Sequence, residues 1–595
     1  MVVKRVLEYA TLGVLFATAL FAVSTSFVNE EVTPKWFGVI IAISFVGVLW
    51  NIRCKDVHIP TQPIFLLMVA CVVIVIFQDV YVSGINYELL IRSGSLLLLL
   101  YLLIQMTKNC STSYLFGVIT ALALGMVVYG ILQYTGIFSS LNHNFKITGS
   151  FDNPAGFGAA LSFTLPYVAY FIHKTIGRNR YILIVTFMII LLGIILSGSR
   201  AAVISCLIVV LCSCFSGIKF RRWMSVAIAI VLIASVAMLY FIKKDSANGR
   251  LLIWQNTWNM ANDSPIVGHG HGAFQAKYML YQADYFATNP DSRYVPLADN
   301  VLYPFNEYLL VFAEHGIMGI GALFLLVWLL IRNYRRSPNF IKFTAGLSLL
   351  AVAVFSCFSY PFKYPFTWLI VLLNITLLCA DTGTKTITGK VSSIFRIGIT
   401  TLYTLLAYAC FPIMKAEMHW AKTAKQSLAG KTFEMLPEYD KLYSYLGKSG
   451  LFLYNHAAEL NHIKMYEESL QVFKECTKYY NDMDVQMLMA YNYKELEKYT
   501  EAEQHLKLAA NMCPGRFIPL YELAKLYNTT NRKYEALAMA KIIINKDIKI
   551  PSGTIVSIKT EMKQWIEAFD KPKNNNQTNN ELQQGETSQD TALPP

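Results

Sequence analysis

The chain has 595 residues, of which 55% are hydrophobic and 15% charged, with a formal net charge of +13 at pH 7. This composition excludes an ordinary soluble protein, because the apolar residues form runs of about 15–25 residues, long enough to cross a hydrocarbon core of about 30 Å. The basic residues are dispersed over the short connections between these runs, which argues against nucleic-acid binding as the source of the charge. We therefore predict a polytopic, all-α membrane protein.

The apolar runs predict about thirteen transmembrane helices. They cover Val6–Phe27, Trp36–Trp50, Pro63–Val80, Ile91–Met106, Tyr114–Tyr134, Ala155–Ile172, Tyr181–Leu196, Ala201–Phe215, Met224–Ile242, Phe305–Ile331, Phe343–Tyr360, Phe366–Ala380 and Ile397–Met414. The first run has no small-x-small cleavage pattern at its end, so we interpret it as a retained helix rather than a signal peptide.

Connections that are rich in lysine and arginine alternate along the chain with connections that are not. Every second connection is basic, from Lys4 and Arg5 before the first run to Lys385, Lys390 and Arg396 after the twelfth. The remaining short connections carry at most one such charge each. The positive-inside rule then predicts a cytoplasmic amino terminus and places everything after the thirteenth run on the outer side.

The connection before the sixth run reads LNHNFKITGSFDNPAGFG. Asp152 or Asn153 can cap a helix that begins at Pro154. One interpretation is a capped helix entry. The other is a ligand loop on the outer face, in which His143, Lys146 and free side-chain amides contact a phosphate or a sugar.

Arg200 ends the sequence LSGSR, in a tight outer turn between the seventh and eighth runs. A charge close to membrane depth is costly unless it is paired or has a function. The sequence leaves two interpretations open, namely an anion contact and snorkelling of the side chain to the membrane interface.

The central segment, Lys243–Gly316, is polar and lies between long apolar runs. Connections of that length usually carry function or are disordered, and aromatic and apolar residues throughout this one argue against disorder. We predict an outer loop over residues 243–304 that acts as an active-site lid. Within it, Arg250 lies in RLLIWQNTWNM and could also be a surface residue of an amphipathic helix.

The carboxyl-terminal part, residues 415–570, is predicted to be soluble and built from helical repeats. Tyr466, Tyr499 and Tyr534 occupy matching positions in three similar segments and are 33 and 35 residues apart. This is close to the tetratricopeptide period of about 34 residues, in which stacked helix pairs form a surface for other chains. Residues 571–595, with NNNQTNN and ELQQGETSQD, are predicted to be a disordered tail.

Five blocks, in this order, resemble the O-antigen ligase superfamily. They are ITGSFDNPAGFGAALSFTLP, SGSRAA, GRLLIWQNTW, DSPIVGHGHGAF and FNEYLLVFAEHGIMG. That superfamily includes O-antigen ligases, O-antigen polymerases and bacterial O-oligosaccharyltransferases, and the resemblance covers roughly residues 90–380. It implies a multi-pass protein of the bacterial inner membrane, with the central segment and the repeats in the periplasm.

The resemblance also implies an activity. Such enzymes transfer a glycan from an undecaprenyl pyrophosphate carrier to lipid A core, to Ser or Thr of a protein, or to another glycan, with no nucleotide, cofactor or required metal. Arg200 and Arg250 match the two arginines that the family uses to bind the pyrophosphate. Lys146, Asn153, His269 and His271 are candidates for contacts of the donor or acceptor.

The family usually has a His-Asn pair where the tenth run begins, and here the aligned residues are Phe305 and Asn306. The nearest substitutes for the missing histidine as catalytic base are Glu307 and Glu314, which are seven residues apart and share one helix face. His315 is the next candidate. The two histidines of GHGHG occupy positions that we take to be variable in the family. We prefer this interpretation to a metal site and predict no bound metal.

We interpret the chain as ligase-like, because outer helical repeats suit docking of a protein or an assembly partner. An O-antigen polymerase is the alternative within the family. A polysaccharide exporter or an envelope scaffold is the alternative outside it, although the helices lack the paired broken segments and inverted repeats of transporters.

Overall fold

The computed structural model describes residues 2–53, 56–60, 62–83, 86–214, 230, 244–380, 386–390 and 393–570. In chain order the helices are α1 (Val2–Phe21), α2 (Thr33–Arg53), α3 (Pro63–Ser83), α4 (Tyr87–Asn109), α5 (Thr112–Tyr134), α6 (Pro154–Lys174), α7 (Arg178–Leu196), α8 (Arg200–Cys214), α9 (Lys244–Asp263), α10 (Ala273–Thr288), α11 (Glu307–Arg336), α12 (Phe340–Ser356), α13 (Pro365–Cys379), α14 (Ser393–Gln426), α15 (Thr432–Leu446), α16 (Gly450–His462), α17 (Tyr466–Cys476), α18 (Met483–Glu495), α19 (Tyr499–Met512), α20 (Ile518–Thr529), α21 (Lys533–Asn545) and α22 (Gly553–Asp570). Two short strands, β1 (Asp56–Pro60) and β2 (Thr386–Lys390), pair antiparallel.

The membrane part agrees with the predicted class, a helical polytopic membrane protein. Among the described residues, eight helices are long and apolar enough to cross a membrane, and four shorter apolar helices accompany them. Twelve of the thirteen predicted runs coincide with these helices. The ninth predicted run, Met224–Ile242, lies outside the described residues except for one position.

Among the eight long apolar helices of the described residues, α6 is the most buried, with 83% of an 18-residue stretch inside the protein. It packs against α5, α7, α8 and α12. Small residues allow the close approach, since a Cβ added at Gly158 would lie 2.7 Å from the Cβ of Ala202 on α8. The position of α6 brings the amino-terminal ends of α6 and α8 to the same side of the molecule.

The central segment contains more regular structure than a loop. It forms α9 and α10, one 3₁₀ helix at Val295–Leu297, and the first turns of α11. Helix α11 is interrupted at Gly316, whose φ of 62° and ψ of −158° are not helical. Only glycine adopts such a backbone conformation without strain, so the interruption is fixed by the sequence EHGIMG.

Helix α14 is a single element of 34 residues that contains the predicted domain boundary near residue 414. After it come three helical hairpins, α16–α17, α18–α19 and α20–α21, which begin at Gly450, Met483 and Ile518. These starting points are 33 and 35 residues apart, the same spacing as the tyrosines of the sequence repeats. The predicted tail, residues 571–595, lies outside the described residues.

The middle hairpin packs directly on the central segment. Tyr278 and Met279 of α10 share one apolar core with Ala509 and Met512 of α19. Gln282 is fully buried and donates from Nε2 to the carbonyl oxygen of Met512 at 2.6 Å. The hairpins and the central segment are therefore joined by a common core rather than by a linker.

Candidate active site

The turn before α6 is held in place by buried hydrogen bonds. Asn153 Oδ1 accepts from the backbone N–H of Gly156 at 3.0 Å, which confirms the predicted cap of a helix that begins at Pro154. Gln133 on α5 donates from Nε2 to the carbonyl of Gly149 at 2.9 Å and accepts from its N–H at 2.8 Å. These contacts fix the direction of the polar side chains at the start of α6.

These side chains meet the short connection between α12 and α13. Asp152 Oδ2 lies 2.6 Å from Lys363 Nζ, and Asp152 Oδ1 accepts from the hydroxyl of Tyr364 at 2.6 Å. Asn153 Nδ2 donates to the hydroxyl oxygens of Tyr360 and Tyr364 at 3.1 and 2.9 Å. The two loops are therefore joined by a network of charged and phenolic groups.

Arg250 lies above an aromatic ring. Its guanidinium carbon is 5.1 Å from the ring centroid of Phe305, a distance typical of a cation–π contact. Trp254, four residues later on the same face of α9, donates from Nε1 to the carbonyl of Pro304 at 3.0 Å and so holds α9 against this ring. Desolvation, followed by the nearby guanidinium of Arg200, lowers the pKa of Arg250 to about 10, so both groups are charged at pH 7.

Arg200 begins α8 and donates from Nη2 to Ser246 Oγ on α9 at 2.8 Å. Gly198, two residues before Arg200, has a φ of 64°, which allows the tight turn between α7 and α8. Among the described residues, no carboxylate lies within ion-pair distance of Arg250. Arg200 and Arg250 therefore come from different helices and lie near each other. Within the described part of the chain, Arg250 has no carboxylate partner.

Stacked rings connect this region to Lys363. Tyr303 stacks on Tyr360 with ring centroids 4.4 Å apart, and Phe305 meets Tyr360 edge-on at 5.3 Å. Lys363 Nζ is 5.3 Å from the ring centroid of Tyr303. We call the combined set the cationic cluster, which consists of Arg200, Arg250, Tyr303, Phe305, Tyr360 and Lys363.

Burial shapes the titration of the cationic cluster. Desolvation raises the pKa of Tyr360 to about 12, so its hydroxyl is neutral at pH 7. Desolvation lowers the pKa of Lys363, but Tyr303 and Asp152 outweigh it, and the pKa ends above its usual value. Lys363 therefore remains charged and paired with Asp152.

Asn306 and Glu307 begin α11 beside the cationic cluster. Asn306 is the cap, because its Oδ1 accepts from the backbone N–H groups of Tyr308 and Leu309 at 3.0 and 3.1 Å. Glu307 is 9% exposed, and its Oε1 accepts from the backbone N–H of Phe362 at 3.2 Å. The carboxylate of Glu307 thus lies between α11 and the connection that carries Lys363.

A second group of polar side chains lies two turns further along α11. We call His271, Glu314 and His315 the histidine cluster. His271 Nδ1 is 3.6 Å from Glu314 Oε2, and the two imidazole rings are stacked with centroids 6.3 Å apart. His315 Nδ1 lies 3.0 Å from Oε1 of Gln78 on α3.

Residues 185–324 match the family model described as O-antigen ligase. This match supports the resemblance to the O-antigen ligase superfamily. Enzymes of this family transfer glycosyl groups, and the matched O-antigen ligase domain includes both arginines and the first turns of α11. The turn before α6, the connection between α12 and α13 and the helical hairpins lie outside the match. A comparison with curated proteins gives no match.

Two of the four residues predicted to contact the donor or the acceptor have partners outside the cationic cluster. Lys146 is exposed, and its Nζ lies 5.9 Å from the ring centroid of Tyr134. His269 Nε2 lies 2.7 Å from the carbonyl of Met260, and its Nδ1 lies 3.2 Å from Lys277 Nζ. Of the other two, Asn153 joins the network around Lys363, whereas His271 belongs to the histidine cluster.

Sequence reasoning did not single out Tyr303, Tyr360 and Lys363, which belong to the cationic cluster. One signal was present, because Lys363 is the single basic residue of YPFKYPF, a short outer connection between apolar runs. A lone lysine among aromatic residues at a membrane boundary also fits simple snorkelling, so the signal does not distinguish the two roles.

Proposed function

We propose that this O-antigen ligase domain transfers a glycan from an undecaprenyl pyrophosphate carrier to an acceptor hydroxyl on the periplasmic side of the bacterial inner membrane. The observation that carries the proposal is Arg250. Its partly buried guanidinium rests on Phe305, beside Arg200, with no carboxylate at ion-pair distance in the described part of the chain. Such an arrangement favours an anionic ligand, since burying like charges together is otherwise costly.

A pyrophosphate suits this arrangement chemically. Guanidinium groups are planar forks that bind phosphate oxygens through paired hydrogen bonds. In the transfer, the bond between the anomeric carbon and the phosphate oxygen breaks, and that oxygen takes the electron pair. Arg200 and Arg250 would stabilise the charge that develops there, which is the kind of electrostatic contribution that lowers a barrier most.

Glu307 is our candidate for the base that takes the proton of the acceptor hydroxyl. Its carboxylate begins α11 immediately after Phe305 and Asn306, and the ring of Phe305 contacts Arg250. Glu314 is about 10 Å further along the same helix and belongs to the histidine cluster. Asn306 would act by capping α11 and thereby holding Glu307 in place.

We assign ligase-like transfer, with lipid A core or protein Ser/Thr as the acceptor, on the strength of the helical hairpins. They pack on α10 of the central segment, so a chain that binds the hairpins would be brought close to the segment that carries Arg250. Tetratricopeptide-like hairpins commonly bind other chains. The periplasmic orientation of this region rests on the alternation of basic connections.

The experiment is transfer of a labelled, lipid-linked glycan by the purified full-length protein. Arg250→Ala should reduce the transfer rate by about 10²–10³-fold, the usual cost of losing one such electrostatic donor. Arg293→Ala is the matched control, because Arg293 lies in the same segment and its guanidinium is directed at Tyr294. Equal transfer rates of the Arg250 and Arg293 variants would refute the pyrophosphate assignment.

The acceptor is identified by a separate comparison of glycoproteins and lipid-linked glycans between the wild-type strain and a strain that lacks the gene. Loss of glycan from proteins with an unchanged glycolipid indicates a protein transferase. Loss of glycan from lipid A core indicates an O-antigen ligase in the strict sense. Shortened chains with attachment intact would replace our assignment with a polymerase.

A further inference from the structure

We propose that the histidine cluster is a binding site for a divalent transition-metal ion of the zinc type, formed by His271, Glu314 and His315. One ligand atom from each residue lies within 4.8 Å of the other two. This site is additional to the proposed glycosyl transfer, and the sequence prediction of no bound metal did not anticipate it.

The donor set suits such an ion. Two imidazole nitrogens and one carboxylate oxygen are a common three-ligand set for zinc, and the fourth position is then left for a water or another oxygen. Ligand atoms bound at about 2.0–2.2 Å in a tetrahedral site lie roughly 3.4 Å apart. His271 Nδ1 and Glu314 Oε2, at 3.6 Å, already have that separation.

The protonation of His315 is determined by its neighbour. Gln78 Nε2 donates to the carbonyl oxygens of Val267 and Glu314 at 2.9 and 3.5 Å, so its Oε1 is the atom that faces His315. An amide oxygen only accepts, and Nδ1 of His315 must therefore carry the proton of their 3.0 Å hydrogen bond. The lone pair of a neutral imidazole is then on Nε2, the ring nitrogen that can bind a cation. Metal-binding histidines typically have such an outer partner.

The backbone places His271 at this position. His269 and Gly270 donate their N–H groups to the carbonyls of Ala313 and Glu314, both at 2.9 Å. A Cβ at Gly268 would lie 2.3 Å from the backbone of Glu314, so no larger residue fits there. The GHGHG turn is thus docked on α11 by main-chain contacts, and the histidine that follows is held near Glu314.

The ion would connect two parts of the molecule directly, and a third through a hydrogen bond. His271 belongs to the turn between α9 and α10, Glu314 and His315 belong to α11, and Gln78 belongs to the membrane helix α3. The cluster is about 10 Å along α11 from Glu307, given a rise of about 1.5 Å per residue. A metal here would hold the turn between α9 and α10 on α11, and the outer partner Gln78 would link the site to α3, at a distance from the proposed pyrophosphate site.

The test measures zinc binding by the full-length protein, purified without a histidine tag, stripped with a chelator and then supplied with Zn²⁺. Metal content after gel filtration gives the stoichiometry, and competition with a chromophoric chelator gives the affinity. Wild type should retain one ion per chain. Gln78→Ala should lose about 10–100-fold in affinity, the usual cost of removing an outer partner, and His271→Ala should lose more than that.

His269→Ala is the matched control, since His269 lies in the same turn but is directed at Met260 and Lys277. It should bind zinc like wild type. A wild-type protein that retains no stoichiometric zinc would overturn the proposal, and so would equal zinc binding by the His269 and His271 variants. Cobalt-loaded protein adds an independent measurement, because its visible absorption should disappear in His271→Ala while circular dichroism shows the fold intact. None of these readouts depends on glycan transfer, so the two proposals fail separately.

Discussion

The two ends of the short helical stretch Glu307–His315 differ in how they are built. At its start, the cationic cluster is assembled by side chains from four parts of the chain, and its contacts are rings and charges. At its end, the histidine cluster depends on backbone hydrogen bonds between the GHGHG turn and α11. The first end gathers charged groups, whereas the second end determines the position of the loop.

The strongest test of this comparison replaces each of the two carboxylates, in separate variants, by the corresponding amide. Glu307→Gln should reduce the transfer rate by about 10²–10⁴-fold, because the amide keeps the shape of the side chain but cannot take a proton. Glu314→Gln is its partner variant and should affect the rate much less. Transfer rates and donor binding are measured for both purified proteins. A larger rate loss for Glu314→Gln would reverse the roles assigned to the two ends.

The next test concerns the geometry of the charge at the first end. Arg250→Lys keeps the positive charge but replaces the planar fork with a single ammonium group, so it should restore little of the roughly 10²–10³-fold loss expected for Arg250→Ala. The same assay measures both variants. Full transfer by the lysine variant would mean that a point charge is sufficient and that the fork geometry is irrelevant.

The second end should be sensitive to backbone changes. Gly316→Ala places a Cβ 2.3 Å from the carbonyl oxygen of Ile266 at a positive φ, so it should destabilise the protein by about 2–4 kcal/mol. Gly321→Ala, on the same helix with nothing within 4 Å of the added Cβ, is the control. The midpoint of thermal unfolding reports the difference, and indistinguishable midpoints would show that the interruption at Gly316 is not structurally required.

The smallest effects should come from the contact between the hairpins and the central segment. Asp299→Asn removes an ion pair with Arg516 in which both side chains are more than half exposed, and it should cost at most about 1 kcal/mol. Met512→Ala, in the shared core of the same contact, should cost about 2–5 kcal/mol. Thermal unfolding of both variants compares them, and the opposite order would mean that the contact is mainly electrostatic.

The sequence predicted the parts of the fold that depend on local pattern. Apolar runs indicated the membrane helices, and Asn153 before Pro154 indicated the start of α6. The central segment was predicted as a loop because its composition is polar. It nevertheless contains two helices, α9 and α10, each of which buries one face against other elements. Its packing on α19 was not predictable, since residues more than 200 positions apart form that core and no local pattern records their contact.

The candidate site was also predictable only in part, because local motifs identify some of its residues and long-range packing brings in the others. Arg200 and Arg250 were identified through their resemblance to family motifs, and the structure brings them close enough for Arg200 to affect the pKa of Arg250. Tyr360 and Lys363 are brought to Phe305 only by the packing of α12 and α13 around α6. The role of Gly316 was visible in retrospect, because a glycine directly after the polar pair Glu314 and His315 interrupts a helix that is otherwise apolar.

The shared core of α10 and α19 also determines when this protein can finish folding. Chains are synthesised from the amino terminus at about 5–20 residues per second, so Tyr278 exists for roughly 10–50 s before Ala509 is made. During that interval the apolar face of α10 has no partner from the hairpins. A ribosome that stops before α19 therefore releases a chain whose membrane helices are complete but whose central segment is still exposed to proteases and chaperones.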